Sequence, residues 1–189
     1  MAFKSLRDLQ QAESIPLAER GLPTNTYEAI RSSTLAHPDA AALSFFVDAG
    51  KFDQTRRWSY AQLFEDITRA ANAFHELGIR PDEVVAFVLP NLPETHFTIW
   101  GGEATGIVMA INPLLDGAQI AALLGTAQAK VLVTLAPTPG TDIWSKLAPH
   151  LEQLPSVRDV IWVSLAPYVS APKALVLCWY CGGVGGHRQ

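Results

Sequence analysis

Glu94 and His96 are the residues whose types could do chemistry together, with Asn91 just before them. A carboxylate beside an imidazole can pass a proton between them and a substrate. All three lie in residues 84–97, VVAFVLPNLPETHF, after six unbroken apolar residues. The place matters, because ligands in open α/β sheets sit where the carboxyl end of a strand meets the start of a helix. The spacing argues against an acid–base couple. Two positions apart on a helix, Glu94 and His96 point to different sides. Pro93 is tolerated in a first helical turn. Glu94 suits the positive end of the helix dipole, worth about 0.3–1 kcal/mol, and Asn91 suits a turn. A structural role accounts for all three, and the stretch reads as a buried strand turning into a helix.

A phosphate cradle would alter that reading, and the required glycines are missing. A dinucleotide fingerprint places G-x-G-x-x-G directly after a strand. Residues 84–89 are followed by Pro-Asn-Leu-Pro, and residues 131–134 by Leu-Ala-Pro-Thr-Pro-Gly. Gly50-Lys51 continues with Phe52 and so lacks the Ser or Thr of a P-loop. Gly101-Gly102-Glu103-Ala104-Thr105-Gly106 falls at the far end of a helix, where the dipole repels phosphate. These glycines suit helix termination and close packing.

Other nucleophiles and ligands are no better placed. His37, His75, His96, His150 and His187 include no pair at i, i+4, so no helical metal pair exists. No serine lies in a G-x-S-x-G elbow. Cys178 and Cys181 form a CxxC followed by Gly-Gly-Val-Gly-Gly, which cannot open a thioredoxin-like helix. Only His187 is near them in sequence, and zinc needs four ligands. They read as two free thiols.

Bulk properties narrow the classes further. The 189 residues are 49% hydrophobic and 17% charged, the balance of a globular chain. A formal net charge of -4 with scattered basic residues argues against a nucleic-acid partner. No apolar run reaches the length of about 18 residues that spans a bilayer. The opening MAFKSLRDLQQAES is polar and carries both charge signs, unlike a signal peptide. The expected location is the cytoplasm.

The elements that must position these residues are legible as patterns. Residues 1–25 are a polar leader broken by Pro16, Gly21 and Pro23. Thr26 is a cap for a helix over Tyr27–Leu35. Residues 42–47 and 56–58 form a hairpin around the turn at 48–51. Ser59 and Gln62 make a capping box. Leu63, Ile67, Ala70, Phe74 and Leu77 follow on one helical face, and Gly78 ends the helix. Strands then alternate with helices: 84–89, 94–105 with Phe97, Trp100 and Ala104 on one side, 107–111, a helix capped by Asp116 with Gln119, 131–134, a helix over 141–154, and 160–163. Short connections of this kind imply right-handed crossovers and a mostly parallel sheet flanked by helices. The fold class is therefore α/β with a short antiparallel hairpin. From about residue 166 to 189 the pattern lapses, and this stretch is expected to be a divergent, poorly ordered tail.

Five segments in order carry a resemblance. They are Trp58-Ser59-Tyr60-Ala61-Gln62-Leu63, then Leu77-Gly78-Ile79-Arg80-Pro81-Asp82-Glu83-Val84-Val85-Ala86, then Leu89-Pro90-Asn91-Leu92-Pro93-Glu94, then Ile111-Asn112-Pro113-Leu114, and then Ala129-Lys130-Val131-Leu132-Val133-Thr134. Together they resemble the adenylate-forming enzymes, in particular bacterial fatty-acyl-CoA synthetases, over residues 5–165. The resemblance implies an acid–thiol ligase: ATP and magnesium convert a carboxylic (fatty) acid to an acyl-adenylate, and coenzyme A takes the acyl group. It further implies that residues 26–165 are the N-terminal α/β part of the family's large domain.

The family's phosphate-binding Ser/Thr/Gly-rich loop, its Tyr-Gly-x-Thr-Glu segment, its ribose-binding aspartate and its small-domain lysine match nothing in these 189 residues. Carried over position by position, the resemblance assigns no catalytic, cofactor-binding or metal residue. A transferring nucleotidyl group needs positioned cations and N–H donors, so the expectation is a fragment that is inactive alone and binds no cofactor. A sheet cut midway would also expose an apolar edge for self-association. The alternative is a non-catalytic α/β module that binds a partner or a small ligand.

Overall fold

The computed structural model describes residues 4–169. Its centre is a four-stranded parallel sheet in the order β4-β3-β5-β6. The strands are β3 (Val84–Val88), β4 (Ile107–Ala110), β5 (Val131–Leu135) and β6 (Asp159–Val163). Registers run Val85 to Val108, Val85 to Val131 and Val131 to Asp159. The two central strands are the unbroken apolar runs: every residue of β5 is buried, as are the last four of β3. A strand covered on both faces has no exposed side to carry polar residues.

β1 (Ala41–Phe45) and β2 (Arg56–Ser59) pair separately as an antiparallel hairpin. β2 leads directly into α3 (Tyr60–Glu76), whose capping box is complete: Ser59 Oγ accepts from the Gln62 amide, and Gln62 Oε1 accepts from the Ser59 amide. The helix ends as its sequence demands. Gly78 adopts φ +74°, and the Ile79 amide donates to the Phe74 carbonyl at 3.1 Å, a C-cap that favours glycine in the left-handed region.

Two crossovers wind the sheet in opposite directions. β3 steps outward to β4 through α4 (Pro93–Glu103), and β4 returns past β3 to β5 through α5 (Gly117–Thr126). Right-handed connections therefore put α4 and α5 on opposite faces. The packing agrees: α4 lies against α3 and against α2 (Thr26–Ala36), while α5 lies against α6 (Ile143–Leu147).

Local details depart from the sequence expectations in four places. Asn25 rather than Thr26 caps α2, its Oδ1 accepting from the Glu28 amide at 2.8 Å. Thr26 is thereby free to donate to Glu103 on α4. The helix expected over 141–154 is α-helical only through Ile143–Leu147 and continues as a 3₁₀ turn over Ala148–Gln153. Pro149 has no amide to donate and its ring crowds the carbonyl four residues back. The leader contains a helix, α1 (Leu6–Glu13), closed by a Ser5–Asp8 capping box and burying none of its residues. Finally, α4 buries Thr95, Thr98, Gly101 and Gly102, not the Phe97–Trp100–Ala104 stripe. Small residues win that face because α4 must approach α3 and β4 closely: a Cβ on Gly102 would stand 2.4 Å from Val108 Cγ2.

Candidate functional site at the carboxyl end of the sheet

The winding reverses between β3 and β5, and there the carboxyl ends of two neighbouring strands diverge into separate loops. This is the switch point at which doubly wound sheets bind ligands. Residues 89–92 form one wall and residues 136–140 the other.

The first wall is set by Thr95. Leu92 occupies the N-cap of α4 but has no polar side chain. Thr95 Oγ1 replaces it, accepting from the Leu92 amide at 3.3 Å and donating to the Pro90 carbonyl at 2.8 Å. The second wall is set by hydroxyls on and after β5. Thr134, fully buried, donates to the Val88 carbonyl at 3.3 Å and so ties β5 to β3 at their carboxyl ends. Thr138 donates to the Ala136 carbonyl at 2.7 Å, and Thr141 to the Thr138 carbonyl at 3.1 Å.

Glu94 lies in the first turn of α4, just after the first of these loops. Its Oε1 accepts a 2.6 Å hydrogen bond from the Tyr168 hydroxyl. Its Oε2 is buried with no donor among the described residues. Tyr168 belongs to a 3₁₀ turn, Ala166–Tyr168, that follows β6. Its ring meets Phe45 edge to face at a centroid distance of 5.0 Å. The Arg56 guanidinium lies 5.5 Å from the Tyr168 ring and 4.8 Å from the Trp58 ring. Trp58 in turn donates from Nε1 to Asp66 at 3.1 Å. The Tyr168 phenol is pushed well above its usual range. Burial is the main cause, and the hydrogen bond to Glu94 and the charge of Glu94 add to it. Arg56 opposes the shift.

The three residues singled out by sequence are thus separated. Asn91 and His96 are exposed, and only Glu94 turns inward. Its partner Tyr168 stands 74 residues away in a stretch with no periodic pattern, so no local signal announced it. The expected tail boundary at 166 falls inside this packed turn, while residues 170–189, with Cys178, Cys181 and His187, lie outside the described residues. Among the described residues, no group of three or more His, Cys, Asp or Glu could hold a metal.

Residues 30–175 match the family described as AMP-binding enzyme. The chain belongs to that family. It is 34% identical over 143 residues to the marinolic acid–CoA ligase of Pseudoalteromonas sp. (strain SANK 73390), covering 76% of this chain and 22% of the relative. It is 45% identical over 82 residues to the crotonobetaine/carnitine–CoA ligase of Salmonella paratyphi A (strain ATCC 9150 / SARB42), covering 43% of this chain and 16% of the relative. Two solved structures share its fold. The anthranilate CoA ligase AuaEII in complex with anthranoyl-AMP superposes with a TM-score of 0.64 at 20% identity, over 87% of this chain and 28% of that one. The N-terminal domain of FACL13 from Mycobacterium tuberculosis gives 0.59 at 21% identity, over 75% and 34%. The chain therefore spans about a fifth of the length of these curated relatives. As in other AMP-binding enzymes the fold is adenylate-forming, here with a parallel sheet, flanking helices and a short hairpin.

The switch-point walls of this family member do not fit a nucleoside triphosphate. Neither 89–92 nor 136–140 contains a lysine or arginine, and the two walls share a single glycine, Gly140. Among the described residues no helix is long and apolar enough to cross a membrane.

Proposed function

We propose that this chain is an N-terminal fragment of an ATP-dependent acyl-CoA ligase that activates a carboxylic acid, a fatty acid being the substrate class, with residues 26–165 as the N-terminal α/β part of its large domain. The whole protein's reaction would pass through an acyl-adenylate to the coenzyme A thioester, with magnesium accompanying ATP. The observation that carries this reading is the family match over residues 30–175 on a doubly wound sheet. The names of two relatives, a marinolic acid–CoA ligase and a crotonobetaine/carnitine–CoA ligase, support the CoA-ligase reading. A cytoplasmic location is part of this proposal, in line with an opening segment, MAFKSLRDLQQAES, that is polar and carries charges of both signs. The open edge at β4, with Ile107 half exposed, supports self-association of the isolated chain.

The 189 residues by themselves are proposed to be inactive and to bind no cofactor, because they contain no basic phosphate loop. The test is carboxylate-dependent pyrophosphate release from the pure chain with a panel of fatty acids, magnesium and ATP. No release is expected, and multiple turnovers would overturn the inactivity. The ligase reading itself is tested on the coding DNA beyond codon 189. A Ser/Thr/Gly-rich phosphate loop is expected there, and its absence from every frame would refute the reading.

A further inference from the structure

Among the described residues β4 and β6 are the edge strands of the sheet, and their edges are not alike. β6 opens on Asp159 with Arg158 before it, so its edge carries charge. β4 carries none. No charged residue stands between Glu103 and Asp116, and β4 pairs with β3 without a proline, a bulge or a shift of register. Charged side chains, proline and bulges are the usual devices that keep a strand edge from pairing. β4 lacks all of them.

The ladder to β3 defines which backbone groups this edge offers. The Ile107 amide donates to the Glu83 carbonyl and the Ile111 amide to the Phe87 carbonyl, both at 2.9 Å. A parallel strand turns alternate residues to the same neighbour, so Met109 also faces β3. The amides and carbonyls of Val108 and Ala110 therefore face outward. Side chains add an apolar flank. Val108 lies against Gly102 on α4, which places Ile107 and Met109 on the α5 face. On α5, Gly117 faces Lys146 and Gly125 faces Leu154. Leu123 lies nearly opposite them around the helix and so faces the β4 side. Ile107 is 50% exposed and Leu123 37%.

We propose that a second copy of this chain pairs with this edge, β4 against β4 antiparallel, about a twofold axis through Met109. Val108 then exchanges both backbone hydrogen bonds with Ala110 of the second copy, and Ala110 does so with Val108 of the second copy. This register uses only free groups. Moving the axis by one residue would call on Gly106, whose amide donates to the Gly102 carbonyl at 2.7 Å, or on Asn112, whose carbonyl accepts from the Leu115 amide at 3.2 Å. Met109 meets its own copy at a position without hydrogen bonds, where cross-strand side chains come closest. The axis stands perpendicular to the sheet, so both α5 helices lie on one face and the Ile107–Leu123 flanks turn toward one another. The charge pattern selects this partner. At a twofold contact each charge near the axis faces its own copy, and an uncharged strand escapes that repulsion. The inference rests on the self-association of the isolated chain proposed above and gives it a geometry.

The test is the mass of the full 189-residue chain in solution, read by sedimentation velocity over a wide range of concentration. Wild type is expected to reach the mass of two chains and stop there, because the pairing uses up the β4 edge of each copy. Ala110→Pro removes an outward amide and spares the bonds to β3. Ile107→Lys keeps every backbone group and puts a cation on the exposed flank, so it decides the matter should the proline disturb the strand. Both variants are expected to sediment as single chains with the circular dichroism of wild type. Amide exchange by NMR reads the register: Val108 and Ala110 should gain protection only at concentrations where wild type pairs, and Ile107 and Ile111 should keep theirs throughout. A single-chain mass for wild type at every concentration would overturn this pairing and the self-association together. A two-chain mass retained by either folded variant, or masses that grow beyond two chains, would leave self-association standing and overturn the β4 pairing.

Discussion

Gly101 on α4 sits so close to Ala70 on α3 that a Cβ added to it would stand 2.7 Å from the Ala70 methyl. The same added atom would meet the Ala71 amide nitrogen and the Ile67 carbonyl oxygen at 2.9 Å. Backbone atoms of a packed helix cannot step aside as a flexible side-chain end can. Gly101→Ala gains about 1 kcal/mol in helix propensity but incurs an overpacking cost of about 1–3 kcal/mol, so net destabilisation is expected. Gly125→Ala on α5 is the control. Its added Cβ would find only Leu154 Cδ2 at an ordinary 3.5 Å, and stabilisation by up to about 1 kcal/mol is expected. Urea midpoints of the two variants check both signs.

The inner face of α3 supplies the second expectation. Ile67 is wholly buried and Phe74 nearly so, whereas Leu63 is only partly buried and Glu76 is exposed. Ile67→Ala and Phe74→Ala should each cost about 2–5 kcal/mol. Leu63→Ala should cost less than Ile67→Ala, and Glu76→Ala should be nearly silent. Equal losses at Leu63 and Ile67, measured by chemical unfolding, would mean that the face is centred elsewhere.

These two cases show what the chain discloses before folding and what it withholds. The capping boxes at Ser59–Gln62 and Asp116–Gln119 are local in sequence, and both form as read. The buried strands β3 and β5 are also plain, because a strand covered on both faces needs only apolar residues. The face that α4 buries is not its stripe of large apolar residues, and the reason is physical. Periodicity weighs large apolar side chains, while the contact with α3 selects small ones. Pro149 limits the α-helical part of 141–154 to Ile143–Leu147 although the apolar spacing continues beyond it. At the site, the position of the switch point followed from the order of strands and helices. The Tyr168–Glu94 contact did not, because neither residue carries a pattern that names a partner so far away in the chain.

Glu83 clamps the opposite, amino-terminal end of the sheet. It is buried, with one oxygen accepting from the Arg80 amide at 3.0 Å and facing Arg158 at 3.6 Å, while the other lies 3.5 Å from the Arg80 guanidinium. Arg158 in turn donates its amide to the Lys130 carbonyl at 2.8 Å, so the group joins the entry to β3 with the entries to β5 and β6. Both arginines are substantially exposed and regain water when freed. Glu83→Ala is expected to cost about 1.5–3 kcal/mol through the lost hydrogen bond to the carboxylate, and Arg158→Ala about 0–1 kcal/mol. Thermal or urea unfolding that showed the reverse order would make Arg158 the anchor instead.

The raised phenol of Tyr168 gives an alkaline signature. In the unfolded chain its proton leaves near pH 10, the ordinary tyrosine range. In the folded chain burial and Glu94 hold it on to higher pH, with Asp66 adding to the shift and Arg56 opposing it. Between those two points the folded state binds more protons than the unfolded one, and stability must fall as pH rises. This contribution is fully present below about pH 10 and is lost as the pH climbs through the folded-state value. Ionisation would also place a phenolate against the Glu94 carboxylate and break the 2.6 Å bond. Wild type should therefore lose stability above about pH 10 more steeply than Tyr168→Phe. Glu94→Gln, which removes the neighbouring charge, should bring the phenol's ionisation to lower pH, read as phenolate absorbance against the Tyr168→Phe background. Superimposable alkaline unfolding curves for wild type and Tyr168→Phe would show that Tyr168 ionises in the folded protein as freely as in the unfolded chain.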